Sequence, residues 1–205
     1  ALSRMWGVTS SDRTVVALPL GYLYGLSTAA AAVLQAGGAA MILRRFHPRD
    51  VLEALVNQNA TVFHGVPTMF SMMLEYCEQR DLSFDLSGMR KLICAGAPLS
   101  EEMARRFEGK FSKALENYYA LTECTPVFGR YFDDTQTLPP GSIGRAAPGA
   151  IVKVLRADGS ECGIEEDGEL LVRAAATMKR YLKNPEMTDA SLSDGSGSSF
   201  GSALG

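Results

Sequence analysis

The sequence holds little of the material from which many recognisable sites are built. It has two histidines, His47 and His64, and four cysteines, Cys77, Cys94, Cys124 and Cys162. The cysteines form no C-x-x-C pair and have no partnering His spacing, which argues against a zinc module or a disulfide framework and leaves buried reduced thiols as the expectation. No G-x-x-x-x-G-K-[ST] run occurs, and Gly195-Ser196-Gly197-Ser198-Ser199-Phe200 lacks the last glycine and the following helix of a dinucleotide fingerprint. Basic excess is missing too. The formal charge is −3 and the charges are interspersed, so no nucleic-acid groove is indicated.

A further absence concerns charge itself, since no Asp, Glu, Lys or Arg occurs between Arg13 and Arg44. Hydropathy alone would score this stretch as a membrane span. Pro19, Gly21, Gly25 and the Gly37-Gly38 pair cut it into pieces shorter than the roughly 20 residues that a spanning helix needs. The stretch reads as buried core, with no membrane span. The chain shows no n-region and cleavage site of a signal peptide, and a cytoplasmic protein is expected.

What is present is alternation. Residues 14–18, 39–43, 61–64, 89–94 and 114–118 read as strands, the second of them buried. Helical patterns lie between them. Residues 26–36 are Ala-rich, and Pro48 opens a helix whose apolar face is Val51, Leu52, Leu55 and Val56, running to Asn59. Pro67 opens the next, with Phe70, Met73, Leu74 and Cys77 inward. Ser100 is a candidate N-cap before Glu101 and Glu102, and Met103, Phe107 and Phe111 form a stripe at spacing four. Parallel strands need crossover connections, so this rhythm predicts an α/β fold, a parallel sheet with helices on both faces. In open sheets of that kind ligands sit beyond the carboxyl ends of the strands, where Tyr22, Gly65, Val66, residues 95–98 and residues 119–123 fall.

After Thr125 the rhythm changes to Gly and Pro punctuation with short strands, at 151–155 and 169–172 around the turn Asp158-Gly159. This predicts a small antiparallel β-sheet or partial barrel. The expected division is an α/β subdomain over 1–130, a β-rich subdomain over 131–190, and a flexible Ser/Gly-rich end over 191–205.

The chemistry concentrates in Asn117-Tyr118-Tyr119-Ala120-Leu121-Thr122-Glu123. An amide can bond an adenine edge, an aromatic ring can cover its face, a hydroxyl can meet a phosphate, and a carboxylate can hold Mg²⁺. An aromatic pair followed by Thr-Glu serves equally as the end of a buried strand and a helix cap. The run resembles the Tyr-Gly-x-Thr-Glu motif of the adenylate-forming superfamily of acyl-CoA synthetases, luciferases and peptide-synthetase adenylation domains. Three other stretches resemble that family in the same order: Gly65-Val66-Pro67-Thr68-Met69, Cys94-Ala95-Gly96-Ala97-Pro98-Leu99, and Gly168-Glu169-Leu170 with Met178, Tyr181 and Pro185 downstream.

The resemblance implies ATP/AMP, Mg²⁺ and coenzyme A as cofactors and a small carboxylic acid as substrate. It implies that Tyr119 stacks on adenine, Asn117 reads its amino group, and Ala97 and Pro98 wrap the other face. It gives Thr122 the α-phosphate and Glu123 the Mg²⁺, both as catalytic residues. Tyr22, Gly65, Val66 and Gly96 would line the acyl pocket; Tyr22 and Tyr24 could form an aromatic slot with Val66, Met69 and Gly96 or turn to the core, the pocket being favoured for Tyr22 and the core for Tyr24. Amino-acid-activating relatives carry an Asp in the loop that here reads Leu20-Gly21-Tyr22-Leu23-Tyr24. Without one, an ammonium would be buried unpaired, so an aryl or fatty acid is expected.

Departures from the pattern are Ala95 and Ala120 in place of glycines, whose methyl groups are expected to crowd the nucleotide and restrict the backbone, Arg180 before Tyr181, and Ala174-Ala175. The family's phosphate loop, its ribose-binding Asp, its hinge and its catalytic Lys have no counterpart here. The chain is therefore expected to be the middle of a larger enzyme, incomplete and inactive alone, with the missing N- and C-terminal parts as partners. Two readings stay open: an acid-thiol ligase, or a non-catalytic binding or interaction module on the same scaffold.

Overall fold

The computed structural model describes residues 1–192 and 201–202. Its contacts fall into two units, one of Ala1–Tyr119 with Gly129–Arg145, the other of Ala120–Phe128 with Ala146–Gly205. The chain thus crosses between units three times. The short β6 (Phe128–Gly129) and β7 (Arg145–Ala146) pair where it crosses back.

The first unit begins with α1 (Leu2–Met5) and β1 (Arg13–Val16), followed by a wide-turned π-helix (Tyr24–Ala31) that runs into α2 (Ala32–Gln35). Then come β2 (Ala39–Ile42), α3 (Pro48–Asn57), β3 (Val62–Gly65), α4 (Pro67–Glu78), β4 (Lys91–Cys94), α5 (Glu101–Phe111) and β5 (Glu116–Asn117). The five strands form one parallel sheet in the order β2-β1-β3-β4-β5. Right-handed crossovers put the helix between β1 and β2 on one face, and α3, α4 and α5 on the other, because the winding reverses at β1.

The local signals explain the helix ends. Prolines stand at the first turn of α3 and α4, where a missing N–H costs nothing. Ser100 caps α5 by accepting from the Met103 N–H at 3.2 Å. On the inner side, Phe63, Phe70, Phe107 and Phe111 form a chain of ring contacts with successive centroids 5.7, 5.4 and 4.6 Å apart, joining β3, α4 and α5. Gly65 is required by that packing. A Cβ there would lie 2.9 Å from Phe70 Cε2, so Gly65→Ala is expected to cost about 1–3 kcal/mol. The urea midpoint, followed by emission of Trp6, the sole tryptophan and 1% exposed, measures it.

Two expectations are corrected. The strand at Ala39–Ile42 is not buried: it is one of the two outer strands, and Ile42 is 54% exposed. A charge-free run says that a strand is apolar, not that it has neighbours on both sides. Val56 is exposed rather than part of the inner face of α3, which closes at Leu55, and the helix ends at Asn57.

At the amino ends of the strands Asp12 is 1% exposed. Its carboxylate accepts from Arg90 Nη1, from Thr61 Oγ1 at 2.6 Å and from the Thr9 N–H at 2.8 Å. Arg90 also donates to the Gly7 carbonyl at 3.1 Å. This network ties the start of β1 to the segments leading into β3 and β4, at the sheet edge opposite the candidate site.

In the second unit β8 (Ile151–Leu155) and β9 (Glu169–Arg173) pair antiparallel, with Val152 opposite Val172 and Val154 opposite Leu170. The turn between them includes Gly159, at φ +84°, a conformation that favours glycine. The short α6 (Pro185–Ser191) is capped by the Asn184 side chain, which accepts from the Met187 N–H at 3.1 Å. The flexible end expected over 191–205 falls mostly outside the described residues. Within it, β10 (Gly201–Ser202) pairs antiparallel with β9.

Candidate functional site

Sheet register assembles the first half of the site. Gly65 is opposite Cys94, and Cys94 opposite Asn117, so β3, β4 and β5 end in one row at their carboxyl ends. The ladder continues one residue further, with Ala95 N donating to the Gly65 carbonyl at 3.1 Å and Tyr118 N to the Cys94 carbonyl at 2.9 Å. The loops that follow are neighbours. Gly96 has φ +85°, and a Cβ built on it would lie 3.3 Å from Val66 Cγ1. Gly96, Ala97 and Pro98 are exposed, while Asn117 and Tyr119 are half-buried.

Strand alternation sorts the aromatic pair. Tyr118 turns inward, 3% exposed and edge-on to Trp6 at 5.2 Å. Tyr119 is left at the partly open edge, where burial raises its phenol pKa. Asn117 borders a cleft of about 290 Å³ that also touches Leu99, Glu101, Arg130 and Ser142, close to the lower end of the small-ligand range.

The topological switch point lies between β1 and β3, where open sheets of this order form their crevice. Tyr22, after β1, is 70% exposed. The Tyr24 hydroxyl instead lies 3.2 Å from the carbonyl oxygens of both Gly65 and Ile93, and burial raises its phenol pKa well above the ordinary value. Gly65 is buried and Val66 half-buried; the missing Cβ of Gly65 makes room for Phe70.

His64 belongs to the core. It is 0% exposed, its ring centroid 4.9 Å from Trp6 and 5.8 Å from Tyr24, and neither ring nitrogen has a hydrogen-bond partner among the described residues. Burial lowers its pKa to about 3, so the imidazole is neutral near pH 7 and too weak a base to take up a proton. The Cys94 thiol, buried and pushed up to about 12, is no nucleophile either.

The second half of the sequence motif lies in the second unit. Thr122 is exposed and Glu123 half-buried. Glu123 is held twice: Oε1 accepts from Tyr181 Oη at 2.7 Å, and its carbonyl accepts from the Met178 N–H at 2.7 Å. Cys124 Sγ accepts from Thr177 Oγ1 at 3.5 Å. The Tyr181 contact spans 58 residues, and its one signal in the sequence was the aromatic of the downstream motif. Among the described residues no cluster of three or more His, Cys, Asp and Glu could cage a metal. A single carboxylate such as Glu123 fits the way Mg²⁺ is held jointly by protein and substrate phosphates.

The substitutions at the motif glycines are accommodated. Neither Ala95 nor Ala120 adopts positive φ, so neither position demands glycine here. Ala95 is 4% exposed.

Comparison with known proteins shows what the chain is similar to. The chain is 32% identical over 188 residues to a long-chain-fatty-acid–CoA ligase of Yersinia pestis, covering 90% of this chain and 32% of that protein. It is 29% identical over 183 residues to 4-coumarate–CoA ligase-like 2 of Arabidopsis thaliana, covering 88% and 32%. Its fold matches the crystal structure of ATP-bound MatB from Rhodopseudomonas palustris with a TM-score of 0.85 at 28% identity, over 98% of this chain and 39% of that one. The chain spans about a third of the length of the curated relatives it matches. The family described as AMP-binding enzyme matches residues 1–182, nearly all of the described chain, and the chain belongs to that family.

Proposed function

We propose that this chain is the central part of an ATP-dependent acid-thiol ligase, which forms an acyl-adenylate from an aryl or fatty carboxylic acid and passes the acyl group to coenzyme A. The observation that carries this reading is the single row of strand ends at Gly65, Cys94 and Asn117, with the loops bearing Val66, Gly96–Pro98 and Tyr119 directly beyond it. Tyr119 would lie on one face of adenine and Ala97 and Pro98 on the other, with Asn117 at the amino group. Thr122 would bond the α-phosphate. Glu123 would hold Mg²⁺, which supplies positive charge to the phosphates as pyrophosphate leaves. A carboxylate substrate is already ionised at neutral pH, so the first step needs positioning and charge stabilisation rather than a general base. The neutral, enclosed His64 suits that requirement.

The acid-free loop from Leu20 to Tyr24 and the exposed Tyr22 support an uncharged acyl moiety. A substrate ammonium would have no counter-charge from this loop. The test is pyrophosphate exchange by the full-length enzyme against benzoate-like acids, fatty acids and α-amino acids. Stimulation by an aryl or fatty acid and none by amino acids is expected. Stimulation by an amino acid alone would overturn the substrate class.

A further inference from the structure

Tyr181 has no role in the reading above, yet its hydroxyl acts directly on Glu123. The phenol donates to Oε1 at 2.7 Å, a charge-assisted bond roughly twice as strong as a neutral one. Two more bonds join the same pair of segments, from Met178 N to the Glu123 carbonyl and from Thr177 Oγ1 to Cys124 Sγ. Tyr181 is itself anchored. Its N–H donates to Thr188 Oγ1 at 3.0 Å, and the Thr188 hydroxyl donates to the Asn184 carbonyl at 2.8 Å, fastening the tyrosine to the start of α6. A free Glu side chain samples many rotamers, and one fixed beforehand loses less freedom when a ligand arrives.

We propose that Tyr181 is a positioning residue for the ligase reaction: its hydroxyl holds Oε1 of Glu123, so that Oε2 is the oxygen offered to the cation that accompanies the nucleotide phosphates. This rests on Glu123 being the cation ligand.

In the full-length enzyme Tyr181→Phe keeps the ring and removes the hydroxyl. Acid-dependent pyrophosphate exchange is expected to fall about tenfold, as when the support of a metal ligand is removed, with KM for the carboxylic acid unchanged. Calorimetric titration of ATP with and without Mg²⁺, in the absence of acid, should show the Mg²⁺-dependent gain in affinity falling by a similar factor. The thermal midpoint should stay near that of the parent. In a Glu123→Gln background Tyr181→Phe should add nothing, since both act through one group.

If Glu123→Gln leaves exchange and Mg²⁺ dependence intact, the role of Glu123 itself fails. If Glu123→Gln lowers both while Tyr181→Phe lowers neither, or if the two effects multiply in the double variant, the positioning role is overturned and that of Glu123 stands. A lowered thermal midpoint with unchanged Mg²⁺ dependence makes the hydroxyl a structural strut and also overturns the proposal.

Discussion

Glu123→Gln in the full-length enzyme is expected to lower the rate of acyl-adenylate formation by about 10²- to 10³-fold, the loss seen when a group stabilising developing charge is removed. The change is nearly isosteric. Glutamine keeps an oxygen that can accept from Tyr181 Oη, as Glu123 does at 2.7 Å, and the backbone bond from Met178 is untouched. What disappears is the negative charge, and with it most of the affinity of a hard oxygen ligand for Mg²⁺. The carboxylic acid should bind as before, so its KM should change by no more than about threefold. Steady-state pyrophosphate exchange resolves the two. An equal loss in rate and acid binding would make Glu123 a structural cap.

Arg90→Met is expected to destabilise the first unit by about 3 kcal/mol at pH 7, the lower end of what breaking a buried ion pair costs. The lower end applies because the Arg90 side chain is 42% exposed while that of Asp12 is 1% exposed, so only one member of the pair is fully enclosed. Removing the guanidinium leaves the enclosed carboxylate with Thr61 and Thr9 alone. Urea unfolding followed by Trp6 emission measures the loss.

The pH dependence has a definite sign. Burial by itself would raise the Asp12 pKa, but the hydrogen bonds from Arg90, Thr61 and Thr9 outweigh it and hold the carboxyl below its ordinary value. A carboxyl with a lowered folded pKa contributes stability that is fully present above its unfolded value of about 3.9. That contribution is lost as pH falls through the folded value. Without Arg90 the largest of the lowering contributions is lost while those of Thr61 and Thr9 remain, and the Arg90→Met variant should lose less further stability than the parent between pH 5 and pH 3. An equally steep acid slope in both proteins would show that Asp12 does not carry it.

Local rules that act over a few residues made much of this protein legible from sequence. The prolines at 48 and 67 and the Ser100 cap fixed where helices start, the spacing of Phe107 and Phe111 fixed which face of α5 is buried, and strand-helix alternation fixed a parallel sheet. A parallel sheet has its functional loops at one edge, so Gly65, Gly96 and Asn117 could be assigned to that edge without knowing which strands touch. Only the tertiary structure decided the rest, because the rest depends on partners distant in the chain. Strand order made Ala39–Ile42 an outer strand. Packing against Gly65 and Ile93 turned Tyr24 inward while Tyr22 stayed exposed, and Trp6 and Tyr24 enclosed His64 so that its charge is lost. Periodicity reports how a residue faces its own element and carries no information about which other element arrives there; the bond from Tyr181 to Glu123, spanning 58 residues, is set by the second kind of fact alone.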